Sequence, residues 1–210
     1  MKKLLVLISL LSFHSVVVSQ NFSLSAVKNN VLYIGVDNPL SFAIENYPAN
    51  QIIVKVDKGV VEGYGRNYSY RGTEPGTVVF TIHKKSNLEE IGRINFRAKY
   101  IPDPVPKVGI SKGGIIQAVI LKNQQFIRAE LENFDFNAVF EIDSFTLNVI
   151  RTDTCYFKEV INIGNKFGSA VVEALMGIKR NDIVIFKKIY VIGPDGRRRL
   201  ISSLVFTITD

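Results

Sequence analysis

The chain has 210 residues, a formal net charge of +7 and a hydrophobic fraction of 47%. Behind a short leader, that length suffices for two small domains. The basic excess is too diffuse to argue for nucleic acid, and no stretch beyond the leader is long and apolar enough to cross a bilayer.

Residues 1–19 read as a signal peptide: Lys2 and Lys3 precede an apolar run from Leu4 to Leu11, and small residues follow near Val17 and Ser19. The only cysteine, Cys155, excludes an internal disulfide, so the cores alone must hold the exported chain together. Residues 20–101 are expected to form a first β-sandwich. "IGRINFRAKY" sets Ile94, Phe96, Ala98 and Tyr100 on one strand face, with Arg93, Asn95, Arg97 and Lys99 on the other. Turn signals at 36–39, 56–59, 71–76 and 84–87 leave room for about seven strands before Tyr100, the spacing of an immunoglobulin-like sandwich.

"IPDPVPK" then supplies Pro102, Pro104 and Pro106, and residues 102–107 read as a stiff connector that cannot be a central strand. Residues 108–210 are expected to form a second β-sandwich, which makes the fold class mainly all-β with two tandem sandwiches. A helical turn is expected within Gly114–Leu121. A long strand follows, with a bulge near Asp143 and Ser144, because Phe145, Leu147 and Val149 run one residue out of step with Phe140 and Ile142. One short helix is expected near 169–178, capped by Ser169. "DIVIFKKIYVI" and "LISSLVFTI" read as two strands joined through the turn Gly193-Pro194-Asp195-Gly196.

Catalytic chemistry finds little to use. His14 belongs to the leader and His83 stands alone on a polar strand face, so no nucleophile–histidine pair or metal set is implied. No catalytic residue, cofactor or metal ligand is assigned. Glu130, Glu132 and Asp135, with Glu141 and Asp143 nearby, supply carboxylates for a hydrolase reading that would depend on Glu130 or Glu132, the weakest of the alternatives. Tyr64, Tyr68 and Tyr70, beside Arg66 and Arg71, suggest a stacking platform for a glycan. Arg197, Arg198 and Arg199, with Asn133 and Asp135, are candidate partner-binding residues on loops of the second sandwich.

Four segments together carry a family resemblance. "LYIGVDNPLSF" (32–42), "RAKYIPDPVPKVGISKGG" (97–114), "AELENFDFNAVFEIDSFTL" (129–147) and "YVIGPDGRRRLISSLVFTI" (190–208) resemble, in order, the C-terminal part of GldM. That gliding-motility family, also called PorM, belongs to the type IX secretion system of Bacteroidota. The resemblance implies periplasmic β-sandwich domains in an elongated dimer. It also implies contact with a ring of outer-membrane-associated proteins. A non-enzymatic interaction module with a protein partner in the cell envelope is therefore expected, as a stand-alone, exported relative that does not span the membrane. A homodimer and association with the outer membrane are further expectations. The competing reading is a glycan- or peptidoglycan-binding module.

Overall fold

The computed structural model describes residues 30–42, 44, 47–153 and 156–210. The leader at 1–19 and Cys155 lie outside them. Two hydrophobic clusters organise the chain, one centred on Phe80 and Tyr70, the other on Phe186 and Leu147.

Seven strands build the first unit: β1 (Val31–Tyr33), β2 (Asn38–Ser41), β3 (Ile52–Val56), β4 (Val60–Tyr64), β5 (Asn67–Arg71), β6 (Gly76–Lys84) and β7 (Glu90–Lys99). They form a four-stranded sheet, β1-β7-β6-β3, against a three-stranded sheet, β2-β5-β4. Alternation decides the packing. Val78, Phe80 and Ile82 of β6 point inward against Val54, Ala98 and Tyr70, while Thr77, Thr81 and Arg97 take the other face.

The second unit contains β8 (Val105–Val108), β9 (Gly114–Gln117), β10 (Ile127–Glu130), β11 (Glu141–Arg151), β12 (Tyr156–Ile163), β13 (Ile183–Ile192), β14 (Arg198–Ile201) and β15 (Leu204–Thr209). Its helices are α1 (Ala118–Lys122) and α2 (Ser169–Met176). The main sheet runs β12-β11-β13-β15-β9, with β14 also paired to β13. The β8–β10 ribbon and both helices contribute Val108, Ile127, Leu121, Val171 and Leu175 to the core on its inner face. Both units are thus all-β sandwich domains. At the centre of the second, Phe186 packs on Phe145, Phe167 and Phe206, at ring-centroid distances of 5.7, 5.7 and 6.2 Å.

Several local expectations are corrected. The connector is not free throughout: Val105, Pro106 and Lys107 pair with Glu130, Ala129 and Arg128, respectively. Pro106 is tolerated there because β8 lies in a two-stranded ribbon, where one missing donor costs little. The helical turn begins only at Ala118. Gly113 and Gly114 have φ of 115° and 90°, which no helix accepts, and the β-branched Ile115 and Ile116 pair in parallel with β15 instead. The expected turn is thus a short helix, α1, at Ala118–Lys122, beside the expected α2. The cap of α2 is Gly168, not Ser169: the Asn162 side chain accepts from the Gly168 N–H at 2.9 Å and fixes the turn one residue earlier. "LISSLVFTI" divides into β14 and β15, which pair with successive stretches of β13. The break at Ser202-Ser203 follows Lys188, whose φ of 49° kinks β13. The parity change near Ser144 does coincide with register shifts on both sides of that residue.

Candidate interaction surfaces

The segment Ile34-Gly35-Val36 joins the two cores. Ile34 is buried in the first and Val36 in the second. Gly35 passes between them at φ 84°, and a Cβ there would meet the Asp195 backbone nitrogen at 2.6 Å. Asn38 ties the turn down: it accepts from Tyr33 N–H at 2.7 Å and donates to the carbonyls of Tyr33, Val36 and Tyr70. Tyr33 meets Phe134 and Phe136 edge-on, at 4.7 and 5.2 Å. Arg199 donates to the Ile101 carbonyl at 2.7 Å and to the carboxylates of Asp103 and Asp195. The Asp195 side chain is only 1% exposed and that of Arg199 10%.

The loops proposed from sequence for partner binding therefore meet at the junction between the units. Asn133 and Asp135 point to solvent, while Phe134 and Phe136 between them are half-buried against Tyr33. Arg197 stacks over Tyr100 at 4.0 Å. Arg198 stacks over Tyr190 at 3.6 Å and pairs with Asp143 at 2.8 Å. Both keep exposed guanidinium groups, whereas Arg199 is a buried clamp.

The three tyrosines of the glycan alternative do not share a face. Tyr70 is 1% exposed and lies in the first core, 5.3 Å from Phe80. Tyr68 packs on Phe42 at 5.5 Å, and burial raises the pKa of both phenols. Tyr64 alone turns to solvent. A stacking platform needs coplanar, exposed rings, and this arrangement divides them.

The carboxylates considered for hydrolysis are held by cations. Lys107 lies 2.9 Å from Glu130 and 3.2 Å from Glu132, and Lys112 also reaches Glu132 at 2.5 Å. The Lys107 hydrogen bond holds Glu130 below the usual carboxylate range, and the Lys112 hydrogen bond does the same for Glu132. A glycosidase acid needs the opposite shift. The network instead buckles the β8–β10 ribbon. Because both carboxyl pKa values are depressed in the folded state, this contribution is complete above the unfolded value and fades as pH falls through the depressed ones. Acidification from pH 6 to 3 is expected to lower the amide protection factors of residues 105, 107–108 and 127–130, taken against the intrinsic exchange rate at each pH, before those of β13. Mass-spectrometric hydrogen exchange checks the order.

His83 donates from Nδ1 to the Leu88 carbonyl at 3.0 Å and shares a hydrogen bond with the Thr81 hydroxyl through Nε2 at 3.2 Å.

The outer face of the six-stranded sheet is the largest surprise. Cross-strand register places Ile115, Thr207, Ile183, Ile150 and Phe157 in one row across β9, β15, β13, β11 and β12. The next rows add Val205, Ile185, Ile161 and Ile163. Ile115, Ile161 and Ile163 are 77, 72 and 79% exposed. One polar cluster interrupts the face. Lys187 pairs with Glu159 at 2.8 Å, and Asn148, its amide oriented by its neighbours, donates to Glu159 and accepts from Lys187. The Lys187 hydrogen bond lowers the pKa of Glu159, so the cluster is an ion pair with no net charge. Isolated exposed aliphatics are ordinary, but a contiguous patch on one sheet marks an interaction surface. Sequence reading missed it because "YFKEVINI" mixes apolar and charged residues on both faces. Its Phe157, Ile161 and Ile163, two or four apart, were the available signal.

Two comparisons complete the picture. Residues 22–99 match the family model of the GldM third domain, and residues 102–209 match that of the GldM C-terminal domain. No curated protein matches the chain with significance.

Proposed function

This chain belongs to the GldM family, and from that premise we propose that it is a non-enzymatic protein–protein interaction module accessory to the type IX secretion and gliding machinery. The family's C-terminal domains are periplasmic, and export by the leader would place this chain beside its partners there. Among the described residues, no helix is long and apolar enough to cross a membrane.

The observation that carries the reading is the apolar outer face of the second sandwich. Covering it with protein removes aliphatic surface from water, while the Glu159–Lys187 pair that interrupts the face has to meet polar groups of the partner or keep its water. The exposed guanidinium groups of Arg197 and Arg198 and the Asp135 carboxylate lie on the junction loops and would add polar contacts there. The proposed partners are secretion-ring proteins of the envelope, with a second copy of the chain as an additional one.

Affinity capture of the tagged chain from native envelope, followed by mass spectrometry, tests the reading. The wild-type chain is expected to recover ring proteins, and Ile115→Glu/Ile161→Glu to lose them at least tenfold while keeping its melting temperature. Equal recovery by both chains would remove the sheet face from the account. Retention on purified cell wall alone would favour the glycan reading.

A further inference from the structure

Among the described residues, strand β12 ends the six-stranded sheet and pairs with β11 alone. An unpaired edge presents free N–H and C=O groups, and proteins ordinarily blunt such edges with short strands, Pro, Gly or charge. The other edges here are blunted. β1 has 3 residues, and β2 has 4 with Pro39 among them. β4 carries Gly63 at φ 151°, and β8 carries Pro106. β9 has 4 residues and begins at Gly114. β3 has 5 and follows directly on a 3₁₀ turn at Ala49–Gln51.

By contrast β12 has 8 residues with neither Pro nor Gly. Its two charges do not guard it either. Lys158 is bound to Glu173 of α2 at 3.2 Å, and Glu159 to Lys187 at 2.8 Å. Phe157, Ile161 and Ile163 stand exposed along its outer side.

We infer that β12 accepts an extended strand from a partner protein, which continues the sheet and lays apolar side chains beside Phe157, Ile161 and Ile163. Main-chain hydrogen bonds supply affinity in this mode, and alternate side chains supply selectivity. The strand carries a polar, non-acidic residue opposite Glu159, because an acidic one would repel the carboxylate and an apolar one would strip water from the Glu159–Lys187 pair without replacing it. A second copy of β12 fits poorly. Opposed residues of an antiparallel pair share a face, so every two-fold register sets Glu159 against Phe157, Ile161, Ile163 or another Glu159. The inference rests on the interaction-module reading and adds the mode of docking and the chemistry of the partner segment.

The probe is a labelled eight-residue peptide alternating threonine with valine, with lysine in place of the valine that would face Glu159. Its control is the fully N-methylated copy, which keeps the side chains but cannot extend a sheet. With the full chain, the plain peptide is expected to bind saturably by fluorescence anisotropy and to slow amide exchange in residues 156–163. The methylated copy is expected to bind at least tenfold more weakly, and Phe157→Lys/Ile161→Lys to weaken the plain peptide by a similar factor. Equal binding of both peptides, or no slowed exchange in 156–163, overturns strand addition. A concentration-dependent dimer in sedimentation, with those amides already slowed in the absence of peptide, assigns the edge to a second copy and overturns it too. A chain that captures ring proteins yet fails the peptide test keeps the module reading and loses this one.

Discussion

Replacing Arg199 with alanine is expected to lower the unfolding free energy by about 3 kcal/mol, the lower end of the cost of breaking a buried ion pair. The reason is what remains. The Asp195 carboxylate, 1% exposed, keeps only the Arg197 backbone N–H at 3.2 Å as a donor, and the Ile101 carbonyl loses its guanidinium partner. Most of the cost is therefore an orphaned buried charge, not the lost contact itself. The double change Asp195→Asn/Arg199→Met removes that charge and should cost less than Arg199→Ala alone. Denaturant titration of the three chains measures both statements. A single-variant cost below about 1 kcal/mol would mean that solvent reaches Asp195 and that the clamp is an ordinary surface pair.

A second large effect is expected at Phe186. Truncation to alanine should cost about 4 kcal/mol, because Phe186 is fully buried and touches three other aromatic rings. Phe145, Phe167 and Phe206 come from β11, the loop before α2 and β15, so a cavity there loosens three elements together. Phe186→Leu keeps much of the volume and should cost less than half as much. The comparison separates a cavity effect from a general sensitivity of β13. Loss of the second unit's cooperative transition, with the first unit's retained, is the expected thermal signature of the alanine variant.

Much of the architecture is legible in the residues. Alternation in β6 and β7 reports one buried face each, and the turn residues mark the intervals between strands. The four segments that carry the family resemblance turn out to be neighbours in space. Tyr33 and Gly35 come from the first, Ile101 and Asp103 from the second, Phe134 and Phe136 from the third, and Asp195 and Arg199 from the fourth. They build the junction. What looked in one dimension like partner-binding loops includes the buried Arg199, because its carboxylate and carbonyl acceptors are 4 and 98 residues away in the chain.

The rest was hidden for physical reasons. Tyr64, Tyr68 and Tyr70 read as one exposed stretch. Yet the hairpin that pairs Gly63 with Tyr68 turns Tyr70 and Tyr68 inward and leaves Tyr64 outside. The apolar sheet face is assembled from five strands separated by as many as 92 residues, as between Ile115 and Thr207, so no local window contains it. The helix cap at Gly168 depends on the side chain of Asn162, six residues back, which no capping rule of sequence spacing anticipates.

Together the junction and the sheet face give the family assignment a physical form. The junction holds two sandwiches as neighbours through packed rings, a glycine crossing and a buried charge. The outer sheet offers one of them to a partner. Photocrosslinking in living cells tests that division most directly, with a photoreactive side chain at Ile115 on the apolar face and, separately, at Lys55 on the outer face of the first sandwich. Adducts to envelope secretion-ring proteins are expected from position 115 and none from position 55. Adducts from position 55 alone, or none from position 115 in cells that express the machinery, would contradict that division.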